Sequence, residues 1–153
     1  MNGISILIDT NVLWKPSLRD QLTKKIKQGA LRVYVPTLVH AERIRQIADE
    51  KGEDFAIHVI QQLVEESRFE LLPFDVEDAE TVADVWLDLK PQGASDNDWK
   101  EHRFDILLCA IARSRGYTLV TDDTGAHFKT VSSRMNINQL QNWFEQQNQR
   151  PTL

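Results

Sequence analysis

Apolar positions in this chain fall into short continuous runs, separated by longer stretches in which they recur every three or four residues. Ile4–Ile8 is apolar except at Ser5, and it predicts a central strand covered on both faces. Arg32–Val35 with Pro36 as a stop, Phe69–Phe74 and Thr118–Thr121 predict further strands, and a short fifth falls at Lys129–Val131 or Met135–Ile137. Helical periodicity predicts helices over Ser17–Gln28, Leu38–Glu50, Asp54–Glu66, Val76–Leu89, Phe104–Ser114 and Gln139–Gln147. Thr37 and Asp75 stand where N-caps are needed, and Gly29 and Gly116 where a left-handed residue ends a helix. Pro91–His102 is polar, holds Gly93 and reads as a loop over one edge. Strands alternating with helices imply an α/β domain over residues 1–145 with a mainly parallel sheet of four or five strands. Residues 146–153, rich in Gln and Asn, read as a polar tail that frays.

Composition adds limits rather than direction. A chain of 153 residues can bury a proper core without disulfides or a structural metal. The lone Cys109 offers no disulfide framework, so a reducing cytoplasm is expected. No apolar stretch is long enough to span a bilayer, and the N-terminal residues show neither a basic segment nor a cleavage site, so no signal peptide and no membrane are expected. The formal charge of −5 removes the simplest argument for a nucleic-acid partner. Carboxylates clustered on a cation would account for part of that charge. Local basic groups remain at Lys24, Lys25 and Lys27, Arg43 and Arg45, Arg113 and Arg115, and Lys129 and Arg134. The plainer reading of each group is a solvated helix face.

Four acids change the picture. Asp9 ends the Ile4–Ile8 run, Glu42 lies early in a helix, Asp105 opens the apolar segment Asp105–Ala112, and Asp123 closes Thr118–Asp123. Unpaired charges at the ends of core segments are costly, and a divalent cation would compensate them. Ligand sites of open α/β sheets lie beyond the carboxyl ends of the strands, where strand order reverses. Asp9 and Asp123 follow strands at that end. Asp105, starting the helix that leads into Thr118–Thr121, and Glu42, in the second turn of a helix after a strand, are expected on the same rim. Singly, each has an ordinary explanation: Asp105 as a helix cap, Glu42 paired with Arg45 or Gln46, and Asp122 and Asp123 in a turn before Gly125. His40, His58, His102 and His127 lack zinc spacing. A donor set of oxygens alone suits Mg2+ or Mn2+, and with it the hydrolysis of a phosphodiester.

Leu7-Ile8-Asp9-Thr10-Asn11-Val12-Leu13, His40-Ala41-Glu42, Asp105–Ala112 and Leu119-Val120-Thr121-Asp122-Asp123 followed by Phe128, in this order, resemble the PIN-domain ribonucleases. The resemblance is strongest to the toxins of VapBC-type toxin–antitoxin pairs. It implies a three-layer α/β/α PIN-like fold and an endoribonuclease holding Mg2+ or Mn2+ on Asp9, Glu42, Asp105 and Asp123, with Asp122 as an alternative ligand. Thr121 resembles the family's hydroxyl near the metal, and Asn11 the polar neighbour of its first Asp. A homodimer, a small antitoxin partner and an RNA substrate are implied as well. Arg43, Arg45 and Lys129 are the candidate RNA contacts, and Ile57 and Ile60 candidate dimer positions.

Other functions fit less well. A phosphoacceptor enzyme needs a second Asp where Asn11 stands, and a receiver domain needs an early acidic pair. No Gly-rich phosphate loop is present. A PIN-like module that binds RNA or protein without cutting, through Trp14, Trp99 or the basic faces, is the alternative of another class, and a PIN nuclease of RNA processing without an antitoxin is the nearer one.

Overall fold

The computed structural model describes residues 3–149, which form one parallel sheet flanked by helices. The strands are β1 (Ile4–Ile8), β2 (Leu31–Pro36), β3 (Glu70–Leu72), β4 (Thr118–Val120) and β5 (Arg134–Met135). Their order across the sheet is β3-β2-β1-β4-β5, and every pairing is parallel. The chain steps from β1 outward to β2 and β3, then returns to the other side of β1 for β4 and β5. The reversal therefore falls between β1 and β4. Ile6, Leu7 and Ile8 on β1 and Leu119 and Val120 on β4 are sealed from solvent, as a central parallel pair covered on both faces requires.

Among the described residues, seven helices accompany the strands: α1 (Thr10–Leu13), α2 (Pro16–Lys27), α3 (Thr37–Lys51), α4 (Glu53–Ser67), α5 (Val76–Leu89), α6 (Asp96–Arg115) and α7 (Ile137–Gln149). Short 3-10 turns cover Lys90–Gln92 and Ala126–Thr130. One core runs from Leu18 and Leu22 on α2, through the strands, to Ile106 and Ile111 on α6 and Leu140 and Phe144 on α7. Asp75 and Asp78 form a reciprocal capping box that starts α5. Gly29 and Gly116 end α2 and α6 with positive φ, 72° and 68°.

Several boundaries differ from the sequence reading, each for a physical reason. The expected loop Pro91–His102 is largely helix, because α6 starts at Asp96 behind a Ser95–Asp98 capping box. Its first turns stand clear of the sheet, so they need no apolar stripe and carried no periodicity. Thr37 is the first residue of α3 rather than its cap; Pro36 holds that position. Of the two places expected for a fifth strand, Lys129–Val131 falls within and after a 3-10 turn, while β5 overlaps the other at Met135. Helix α7 continues to Gln149, into the segment read as a tail; residues 150–153 lie outside the described residues. Ile60 belongs to the core, whereas Ile57 is exposed. No helix among the described residues is long and apolar enough to cross a membrane.

Candidate functional site

The backbone at the strand reversal places the first acid. Ile8 pairs with Val120, so Asp9 and Thr121 emerge side by side at the carboxyl ends of β1 and β4. Asp9 is the N-cap of α1, its Oδ1 accepting from the Thr10 amide at 2.5 Å and its Oδ2 from Thr121 Oγ1 at 2.9 Å. The same Thr121 hydroxyl accepts from the Asp123 amide at 3.1 Å. Thr10 Oγ1 donates to Glu42 Oε2 at 2.8 Å, which ties the second acid, on α3, to the first. Two buried hydroxyls thus orient Asp9 and Glu42, because each threonine has no other exit for its polar group.

Asp105 reaches the same place by a different route from the one expected. It does not open its helix but sits in the third turn of α6. From Asp105 to Arg115 the helix rises about 15 Å at 1.5 Å per residue, close to the length of β1 at about 3.3 Å per residue. Asp105 is therefore level with the strand ends, and residues 96–104 project beyond them. Asp9, Glu42 and Asp105 line one recess, walled by Leu38, Val39 and Leu108 and edged by the exposed Phe104. Its free volume is about 10 Å³, room for roughly one water-sized sphere. Burial raises the Asp9 carboxyl above its ordinary 3.8; the hydrogen bonds from Thr121 and Thr10 pull it down, and the charges of Asp105 and Glu42 push it up again. Three carboxylates lining one recess with apolar walls, the charges of two of them acting on Asp9, suit a small hard cation.

The remaining expected residues divide. Asp123 does not enter the recess: its Oδ1 accepts from the Gly125 amide at 2.8 Å, and it lines a neighbouring cleft of about 470 Å³ together with Thr121, Lys129 and Arg134. Asp122 is engaged in the fold, its Oδ1 accepting from the Ile137 amide at the start of α7 and its Oδ2 3.8 Å from Lys15 Nζ. Asn11 is exposed in the first turn of α1. Arg43 is not a free surface cation, since its guanidinium lies 3.6 Å over the Trp14 ring and donates to Gln46. Arg45 is exposed and paired with Asp49 at 3.0 Å, and Lys129 is exposed on the cleft. Trp99 packs against Trp86 with the ring planes at 86°, and Arg43 covers one face of Trp14.

Two residues passed over in the sequence join the site. His127 Nε2 lies 3.3 Å from Asp105 Oδ2, and His102 Nδ1 lies 4.0 Å from the same oxygen. Spacing along the chain does not show this proximity, which the fold supplies. His102 stands three residues before Asp105 on one helix face, and that i, i+3 relation was the one legible signal.

The sequence model of the family described as PIN domain matches residues 6–132. No curated protein matches the chain. Among solved structures, it resembles a chain of VapBC2 from Rickettsia felis bound to a DNA fragment from their promoter, with TM-score 0.67 and 18% identity over 87% of this chain and 98% of that one. DNA-bound VapBC from Salmonella typhimurium gives TM-score 0.66 and 17% identity, covering 87% and 98%. FitAcB from Neisseria gonorrhoeae gives TM-score 0.61 and 23% identity, covering 86% and 96%.

Proposed function

The chain belongs to the PIN-domain family, and we propose that it is a metal-dependent endoribonuclease, the toxin of a VapBC-type pair. One observation carries the reading: Asp9, Glu42 and Asp105 line a single recess at the strand reversal. These carboxylates would hold Mg2+ or Mn2+, which when bound polarises a phosphoryl oxygen and makes water a competent nucleophile at neutral pH. Thr121 and Thr10 keep Asp9 and Glu42 aimed without side-chain reorganisation. Asp123 stays outside the recess, on the neighbouring cleft, and its link to the site is the bond from its amide to the Thr121 hydroxyl. Lys129 and Arg134, on that cleft, meet the phosphates of an RNA strand. Local positive charge beside the acids answers the objection raised by the net charge of −5.

The partners follow from the same resemblance. VapBC and FitAcB assemblies recur among the similar structures, which supports a small antitoxin that occupies this face. Exposed Phe55 and Ile57 on α4 support a homodimer. The deciding experiment incubates purified protein with total RNA and Mn2+ or Mg2+ and maps the cut ends. Cleavage that requires the metal and is lost in a folded Asp9→Asn variant is expected. Equal cleavage by that variant refutes the site.

A further inference from the structure

The proposed cleavage leaves two buried or half-buried imidazoles unused. His102 and His127 stack with ring centroids 5.0 Å apart and planes at 27°, and one nitrogen of each lies with an Asp105 oxygen inside a 4.8 Å cluster. We propose that His102, Asp105 and His127 form a second metal site, for a borderline transition cation such as Zn2+, distinct from the all-oxygen set of Asp9 and Glu42.

Geometry supports this first. Tetrahedral zinc with ligands at about 2.0–2.1 Å separates them by about 3.3–3.4 Å. The His127–Asp105 pair, at 3.3 Å, is already at that distance. The His102–Asp105 pair, at 4.0 Å, closes by a small rotation of a side chain that is 43% exposed.

The second support is an unpartnered atom. His127 is 8% exposed, and its Nε2 is buried without a hydrogen-bond partner. A polar atom left in that state is costly to the fold. Asp105 Oδ2 lies 3.3 Å away, yet the two atoms do not make a hydrogen bond. A cation bonded to both would satisfy them together.

The surroundings hold His127 in place. Its carbonyl accepts from Thr130 Oγ1 at 2.7 Å and Cys109 Sγ at 3.4 Å, and its ring packs on Phe128. A Cβ on Gly125 would stand 2.6 Å from His127 Cε1, so this glycine makes room for the ring. On the other side, both histidines face a cavity of about 120 Å³, enough for a water as the fourth ligand. Two imidazoles and one carboxylate favour zinc or iron over magnesium. Asp105 serves both donor sets, so zinc here engages a carboxylate that cleavage needs. That consequence, inhibition by zinc, rests on the function proposed above; the binding site does not.

The test titrates Zn2+ by calorimetry into metal-stripped protein, with Co2+ as a visible-absorption probe of four-coordinate geometry. One Zn2+ per chain is expected, with affinity at least tenfold weaker in His102→Ala and in His127→Gln, and within twofold of wild type in Asp9→Asn. Circular dichroism checks each fold, and the half-exposed His102 keeps the test decisive if His127→Gln unfolds. No zinc uptake by wild type, unchanged affinity in His102→Ala, or loss of binding in Asp9→Asn overturns the proposal. In a Mn2+-supported cleavage assay, added Zn2+ is expected to inhibit wild type at lower concentration than His102→Ala. If no RNA is cut with any metal while the histidine variants still lose zinc, the nuclease reading fails and this site stands.

Discussion

Asp9→Asn separates the fold from the chemistry in a single substitution. The carboxyl is raised above 3.8, first by burial and also by the neighbouring charges of Asp105 and Glu42. A raised carboxyl is a liability to the folded state once ionised: the cost appears as pH climbs past the unfolded value and is complete above the folded one. Asparagine removes it. Asparagine also has one acceptor oxygen where aspartate has two, so it keeps only one of the bonds from Thr10 and Thr121. A hydrogen bond to a charged group contributes about 1.5–3 kcal/mol, which the relief of buried charge opposes. In EDTA at pH 7 the variant is therefore expected within about 1 kcal/mol of wild type, a net of opposing hydrogen-bond and burial effects. With Mn2+ the two part. A ligand that binds only the native state at a hundred times its Kd adds about 2.7 kcal/mol; wild type gains this and the variant loses most of it. Urea unfolding followed by circular dichroism, with EDTA or saturating Mn2+, measures both. Equal stabilisation of both proteins by Mn2+ refutes Asp9 as a ligand. A loss beyond about 3 kcal/mol in EDTA, the upper range for such a hydrogen bond, makes it a structural residue instead.

Elsewhere, the Asp75–Asp78–Arg115 network should act on stability alone. Arg115 Nη2 reaches Asp75 at 2.7 Å and Asp78 at 3.1 Å, and Asp78 is fully buried. Asp78→Ala is expected to cost about 3 kcal/mol in urea unfolding, the lower range for breaking a buried pair, because Arg115 stays partly exposed. Burial pushes the Asp78 carboxyl up, but hydrogen bonds from Arg115, Ser114 and the Asp75 amide outweigh it and hold it below 3.8. Its stabilisation is therefore present above that value and fades as pH falls through the lower folded value; Asp78→Asn should flatten the acid limb of a stability–pH curve. Ser95→Ala removes the cap of α6 and should cost about 1 kcal/mol, read as a lower urea midpoint with unchanged slope. Burial pushes the Cys109 thiol up to about 12, so a thiol reagent at pH 8 should label it only after denaturation; rapid labelling of the native protein would contradict its burial.

The pattern of residues alone was enough for the α/β class, the parallel sheet and the positions of β1, β2 and β4, because strands covered on both faces carry mostly apolar residues in short runs. It also exposed Asp9, Glu42 and Asp105, since charge beside core segments stands out against that background. Tertiary structure decided the rest. Asp122 and Asp123 are adjacent and chemically alike in sequence; both line the cleft, where the Ile137 amide at the start of α7 claims the first and the Gly125 amide the second. Arg43 looked like a surface cation until α1 laid Trp14 beneath it. His102 and His127 lie on elements that neither pattern nor spacing connects, and they meet only because α6 outruns β4 and the turn after Gly125 folds back against it. Local periodicity records which side of an element is dry, but which polar groups face one another across elements depends on lengths and crossings that no local window contains.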